Sequence, residues 1–114
     1  MNLAINKCVP CEGQSSALTY DQAAQLLNDV PSWKMNTNKD VILREFQMKN
    51  FTAAIQFINK VAEVAESENH HPDIHLSGYR NLRIELSTHA IKGLSKNDFI
   101  LAAKINQLPV ELKV

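Results

Sequence analysis

What most constrains the fold of this chain is the way its apolar residues change period along the sequence. From Asn50 onward, Phe51, Ala54, Ile55, Ile58, Val61, Ala62 and Ala65 recur at spacings of three and four, which predicts a helix with one buried stripe. Lys60, Glu63, Glu66 and Glu68 fall away from that stripe, and Pro72 forbids continuation, so the helix is expected to end near Asn69. On either side the period drops to two. Upstream, Val41 to Met48 places Ile42, Phe46 and Met48 on one face of a strand and Leu43, Glu45 and Gln47 on the other. Ser32 to Met35 forms a short partner strand across the polar turn Asn36 to Asp40. Downstream, Ile74 to Tyr79 and then Leu82, Ile84 and Leu86, alternating with Arg83, Glu85 and Ser87 as far as Thr88, predict two more strands.

Capping signals place a helix at each end of this pattern. Thr19 as N-cap, Gln22 three residues later and Asp21 near the positive end of the helix dipole start a helix that runs to about Asn28, with Pro31 beyond it. Ser95 with Asp98 starts another, carrying Phe99, Leu101, Ala102, Ile105 and Leu108 before Pro109. Helix, two strands, helix, two strands, helix is an α+β order. Short turns between paired strands make the sheet antiparallel, and four short strands need a cover. The expected fold is therefore a two-layer sandwich, a four-stranded antiparallel sheet covered on one face by three helices.

With 114 residues the chain has room for one core. Residues 18–114 are expected to form a single domain, and residues 1–17, which contain Pro10, Gly13 and two serines, a flexible N-terminal arm. Twelve Lys and Arg balance twelve Asp and Glu, which removes the basic excess of a nucleic-acid binder. No apolar run is long enough to span a membrane, and Met1 to Leu18 lacks both a secretory h-region and an Arg-rich amphipathic pattern, so cytoplasmic localisation is expected. Cys8 and Cys11 form one C-x-x-C. It reads either as half of a zinc knuckle, with no second pair to complete four ligands, or as two reduced thiols on the arm.

Four histidines occur, and His70, His71 and His75 fall where the long helix hands over to the third strand, while His89 closes the fourth. Imidazoles are the natural acids and bases near neutral pH, so a pocket built from His70, His71 and His89 suits proton transfer. Two other readings stand beside it. Three imidazoles can hold a catalytic zinc, although consecutive histidines rarely face one ion and no H-E-x-x-H pattern is present. Alternatively His70 or His71 caps the helix C-terminus and His89 is an ordinary strand-end residue.

The string Glu66-Ser67-Glu68-Asn69-His70-His71-Pro72, then Tyr79, Ser87-Thr88-His89, Gly93-Leu94-Ser95 and Asp98, resembles the signature of pterin-4a-carbinolamine dehydratases. Trp33, the Phe46 strand, Lys49-Asn50-Phe51 and Asp98-Phe99-Ile100-Leu101-Ala102 extend the resemblance over about Leu18 to Leu108, and the Cys8 to Cys11 leader resembles bacterial and plant-type members. The family's fold is an α+β sandwich on a four-stranded antiparallel sheet. The resemblance implies loss of water from 4a-hydroxytetrahydropterin to give quinonoid dihydropterin, without metal or cofactor, serving an aromatic amino acid hydroxylase. His70, His71 and His89 take the catalytic roles, with Glu66, Asn69, Pro72 and Asp98 as substrate-binding or supporting residues.

A homodimer or homotetramer is implied by the same resemblance, with no direct nucleic-acid partner and no membrane. The alternative it carries is non-catalytic: some relatives are dimerisation cofactors of a transcription factor, others assembly factors for a carbon-fixing enzyme. Such uses depend on surfaces and give no reason to keep three histidines together. Phe57 and Val64, flanking the main helix stripe, read either as core or as surface for self-association. Pro72 is expected to stop the helix, Gly93 to adopt positive φ, and Trp33 and Tyr79 to pack. Asn69, Ile74 and Asn97 stand where the family often has Asp, an aromatic and a basic residue, and Pro72 and Tyr79 are one residue farther apart than in the animal form.

Overall fold

Three short side chains decide where the helices begin. In the computed structural model, which describes residues 3–6, 8 and 17–114, Thr19 Oγ1 accepts from the Gln22 amide while Gln22 Oε1 accepts from the Thr19 amide, opening α1 (Tyr20–Leu27). Asn50 Oδ1 accepts from the Ala53 amide at 2.8 Å and opens α2 (Phe51–Glu68). The Ser95 and Asp98 capping box opens α3 (Lys96–Asn106). Between them lie β1 (Lys34–Met35), β2 (Ile42–Gln47), β3 (Asp73–Ser77) and β4 (Asn81–Leu86), with 3-10 turns at Leu3–Ile5 and His89–Ile91. Element order and the boxes at Thr19 and Ser95 are those expected from the sequence.

The four strands form one antiparallel sheet in the order β1-β2-β4-β3. Alternation divides it cleanly. Ile42 and Phe46 of β2 and Leu82, Ile84 and Leu86 of β4 are buried against the helices, whereas Glu45, Gln47, Asn81, Arg83, His75 and Ser77 remain exposed on the other face. The Phe46 ring meets Phe57 of α2 at 5.1 Å between centroids. Helix α3 is the centre of the molecule: Phe99 to Ala103 and Ile105 are all buried, because α2 covers one side of it and the Leu3–Ile5 turn another. At its end, Asn106 Oδ1 accepts from Trp33 Nε1 at 2.9 Å and from the Arg44 guanidinium at 2.7 Å, tying helix to sheet. Beyond β1 the edge of β2 is covered by the C-terminal segment, where Lys49 N donates to Glu111 O and Lys113 N to Gln47 O.

Two expectations are corrected. The buried side of α2 is Ala53, Ala54, Phe57, Val61 and Ala65, so Phe57 is core, whereas Phe51 and Ile55, assigned to the stripe, are 53% and 38% exposed and Ala62 is exposed. The helix carries apolar residues round more than half its circumference, and the Phe46 contact selects the face. Tyr79 is not part of the core: it lies in the turn between β3 and β4, where Gly78 and Tyr79 both adopt positive φ, is 57% exposed and has the Arg80 guanidinium over its ring at 5.2 Å. Within residues 1–17, expected to form an arm, Leu3 is 1% exposed. A leucine seated on α3 removes apolar surface from water and anchors that part of the chain.

Candidate active site

Helix α2 ends with Asn69 in the left-handed conformation at φ 51°, its amide bonded to Ala65 O and Glu66 O. Asparagine tolerates this geometry as a helix stop. The step redirects the chain so that successive histidines part company: His70 is buried and His71 exposed. Pro72, half-buried, follows as the chain enters β3.

His70 Nε2 lies 2.6 Å from Oδ1 of Asp98, whose side chain is completely buried. The other carboxylate oxygen accepts from Thr88 Oγ1 and from the Ser95 amide, each at 2.9 Å. Thr88 spends its one hydroxyl proton on Asp98, so the 2.7 Å contact with Ser95 Oγ is donated by Ser95. Asp98 is thus capping partner and histidine partner at once, one oxygen for each task. A carboxylate accepts only, so this geometry places a proton on His70 Nε2, and in the neutral imidazole Nδ1 is then the lone-pair nitrogen.

The sheet register brings Thr88 to this point. Asp73 pairs with Glu85, and continuing the β3 and β4 register three residues further puts His70 level with Thr88. His89 follows Thr88 as the first residue of the 3-10 turn. That loop is closed on itself, with Thr88 N donating to Gly93 O at 2.8 Å and Gly93 N to Thr88 O at 3.4 Å. Lys92, at φ 53°, takes the left-handed position expected of Gly93. Gly93 is needed for space instead, because a Cβ there would stand 2.7 Å from the Ala17 Cβ. His89 is exposed and lines a cavity of about 310 Å³ with Asp40, Val41, Ser87, Thr88, Lys92 and Gly93. That is the lower end of the size of small-molecule sites.

His71 Nε2 is hydrogen-bonded to Glu66 Oε2, with both side chains exposed, so Glu66 orients an imidazole that remains in exchange with water. His75 is on the outer face of the sheet with Glu85 Oε1 at 3.3 Å. It lines a larger cavity, about 600 Å³, bordered by Glu45, Gln47, Ser77, Asn81 and Arg83. The larger space is lined by none of His70, His71 and His89, whereas the smaller one is lined by His89 and by Thr88, the hydrogen-bond partner of Asp98, which makes the smaller one the candidate site.

Among the residues expected from the sequence, His70 meets Asp98 and His71 meets Glu66 directly, whereas His89 is next in sequence to Thr88, which bonds Asp98, and is itself exposed on the cavity. Asn69 is the helix stop. Thr88 and Ser95 as a hydroxyl relay were not anticipated, although the Ser87-Thr88-His89 string and the Ser95 cap were both visible. Nor was the contact of Cys8 with α2, where its amide donates to Glu68 Oε1 at 2.8 Å. Burial, then the charge and hydrogen bonding of Glu68 and the charge of Asp98, push its thiol up to about 12, Lys104 opposing. Cys11 lies outside the described residues, among which no three His, Cys, Asp or Glu side chains are grouped as metal ligands. No helix among them is long and apolar enough to cross a membrane.

Residues 16–108 match the family model described as pterin 4 alpha carbinolamine dehydratase. The chain is 48% identical over 113 residues to pterin-4-alpha-carbinolamine dehydratase 2, mitochondrial, of Arabidopsis thaliana, covering 96% of this chain but 60% of that protein. It is 47% identical to a putative pterin-4-alpha-carbinolamine dehydratase of Halorhodospira halophila, covering 95% of this chain and 98% of the relative. The fold is similar to the crystal structure of a transcriptional coactivator/pterin dehydratase from Brucella melitensis, with a TM-score of 0.75, 28% identity and coverage of 80% and 96% of the two chains. A pterin dehydratase-like RuBisCO assembly factor of the alpha-carboxysome, 18% identical with a TM-score of 0.55 over 66% of this chain and 86% of its own, shares the fold.

Proposed function

The chain belongs to the pterin-4a-carbinolamine dehydratase family, and on that premise we propose that it removes water from 4a-hydroxytetrahydropterin by histidine acid/base catalysis. The 4a-hydroxyl takes up a proton and departs as water, a ring nitrogen gives up a proton, and quinonoid dihydropterin remains. One proton is delivered and one is taken, so the imidazoles end as they began. Groups that titrate near neutral pH and hold the flat ring in place meet the demands of this step, which transfers no electrons.

The observation that carries the reading is the shared carboxylate of Asp98, bonded on one side to His70 and on the other to Thr88, the residue before His89. His70 is the oriented member of the set. His71, steadied by Glu66, and His89, at the rim of the cavity, face solvent and exchange protons with it. Asn69 and Pro72 fix the backbone that separates His70 from His71. The test is dehydration of freshly generated 4a-hydroxytetrahydropterin by wild type, His70→Ala and His89→Ala; wild-type rates no faster than buffer would overturn the reading.

Recycling of the pterin for an aromatic amino acid hydroxylase, and a cytoplasmic site of action, belong to the same proposal. So does self-association, for which Phe51 and Ile55 on the outer side of α2 supply exposed apolar surface. That surface also favours the second reading, partner binding, and light scattering on the purified protein tests whether it is covered by further copies of the chain.

A further inference from the structure

Glu68 is a buried carboxylate for which the proposed chemistry has no use. It is the last residue of α2, two positions before His70, and is 9% exposed. Its Oε1 accepts from the Cys8 amide at 2.8 Å and its Oε2 lies 3.9 Å from Lys104 Nζ, which in turn donates to Ala4 O at 2.7 Å. Cys8 also reaches the other side of the site, its thiol donating to Asn97 O at 3.6 Å. One residue of the N-terminal segment therefore touches position 68 on the approach to His70 and position 97 immediately before Asp98. The Cys8 thiol lies within the field of both the Glu68 and Asp98 carboxylates.

We propose that Glu68 is a positioning residue for the reaction, and that with Lys104, Ala4 and Cys8 it forms a clamp fixing the end of α2 against the start of α3, and so the meeting of His70 with Asp98. The inference rests on the proposed dehydratase reading for its kinetic consequence, not for its geometry. A buried carboxylate persists only where it is paired and hydrogen-bonded. Here the partners come from α3 and from the N-terminal segment, so the ion pair joins the backbone stretches that present the two members of the site. Small misplacement of an oriented catalytic group costs about 10- to 100-fold in rate.

The experiment compares the full chain with Glu68→Ala, Glu68→Gln, Lys104→Met and Cys8→Ser, and with Val61→Ala, a core truncation of α2 away from the clamp. Two quantities are read: the His70 ring-nitrogen NMR signals without substrate, and kcat and KM for dehydration. Glu68→Ala is expected to shift or broaden the Nε2–H signal and to lower kcat 10- to 100-fold with a smaller change in KM. Glu68→Gln, which keeps an acceptor for the Cys8 amide, restores part of both. Cys8→Ser, which keeps the amide and a donor toward Asn97, stays near wild type. Val61→Ala lowers stability and leaves signal and kcat in place. Wild-type signals and kcat in Glu68→Ala, or equal changes in Val61→Ala, would overturn the proposal. If Glu68→Ala fails to fold, Glu68→Gln and Lys104→Met decide by the same readings. Should the wild type prove inactive on the pterin, the dehydratase reading fails, and the substrate-free NMR comparison still decides the clamp.

Discussion

Replacing Asp98 by Asn keeps the shape of the most connected side chain in the site and changes only what its two ends can offer. In the native arrangement three donors converge on it: His70 Nε2 at 2.6 Å on one oxygen, and Thr88 Oγ1 and the Ser95 amide, both at 2.9 Å, on the other. The Ser95 amide can only donate, so the amide oxygen of the new side chain must face Ser95 and Thr88, and its NH2 must face His70. His70 Nε2 then has to accept, and its proton moves to Nδ1. Two bonds survive as neutral ones and the third is reversed. A hydrogen bond to a charged group exceeds a neutral one by about 1 kcal/mol, so the loss over three bonds is at most about 3 kcal/mol, reduced by relief from burying a charge; about 1–2 kcal/mol of destabilisation is expected. Activity should fall far more, by about 10²- to 10⁴-fold in kcat, because the tautomer is inverted while the fold persists. Urea melts give the first quantity, the dehydration assay the second, and ring-nitrogen NMR the tautomer. An Asp98→Asn protein that keeps the Nε2–H tautomer, or one within about threefold of wild-type kcat, contradicts the hydrogen-bond reasoning behind these values.

Other outcomes follow from single positions. His71→Ala and His89→Ala remove exposed imidazoles, so each should lower kcat by about 10²-fold with an unchanged urea midpoint; a midpoint falling in step with activity would reveal a packing role instead. Gly93→Ala forces a Cβ against Ala17 and should cost about 1–3 kcal/mol. Adding Ala17→Gly should recover most of it, as measured by thermal melting. Asn69→Ala should destabilise by about 1 kcal/mol and Asn69→Gly should not, since only the first strains a left-handed residue. The Cys8 thiol, with a pKa raised from 9.0 to about 12, keeps its proton in the folded protein over a window in which the unfolded chain loses it. Stability from this group is complete below pH 9 and declines as pH climbs toward 12, so the urea midpoint of wild type should fall more steeply above pH 9 than that of Cys8→Ser.

Local chemistry made much of this structure legible. Caps at Thr19 and Ser95 are satisfied within three residues of themselves, and strand alternation at Ile42 and Phe46 or at Leu82, Ile84 and Leu86 needs only to know that one face is wet. What depends on distant partners was harder to read. The buried side of α2 was misjudged because Phe51, Ile55 and Ala62 satisfy helical spacing as well as Phe57 and Val61 do, and only the approach of Phe46 distinguishes them. Leu3 was assigned to an arm because nothing in residues 1–17 shows that α3 offers it a seat. Gly93 was read by its backbone freedom, whereas its reason is the Ala17 side chain, 76 positions earlier. In the site, the histidines and Asp98 were visible as residue types. The division of Asp98 into one oxygen for the cap and one for His70 was not, since it exists only once strand register has brought Thr88 level with the end of α2.

The self-closed loop from Thr88 to Gly93 has a consequence for how such a site can change. Its ends are stitched together by main-chain bonds, so the segment between them behaves as an interchangeable cassette: with His89 and the left-handed position 92 retained, residues 90 and 91 can be exchanged or the loop lengthened at small entropic cost, while the threonine at its base keeps its grip on the buried carboxylate. One imidazole is bolted to the frame and another rides on the cassette. If the proposed dehydratase reading holds, substrate preference is therefore most readily altered by grafting new sequence between those two anchor points, leaving the rest of the chain untouched.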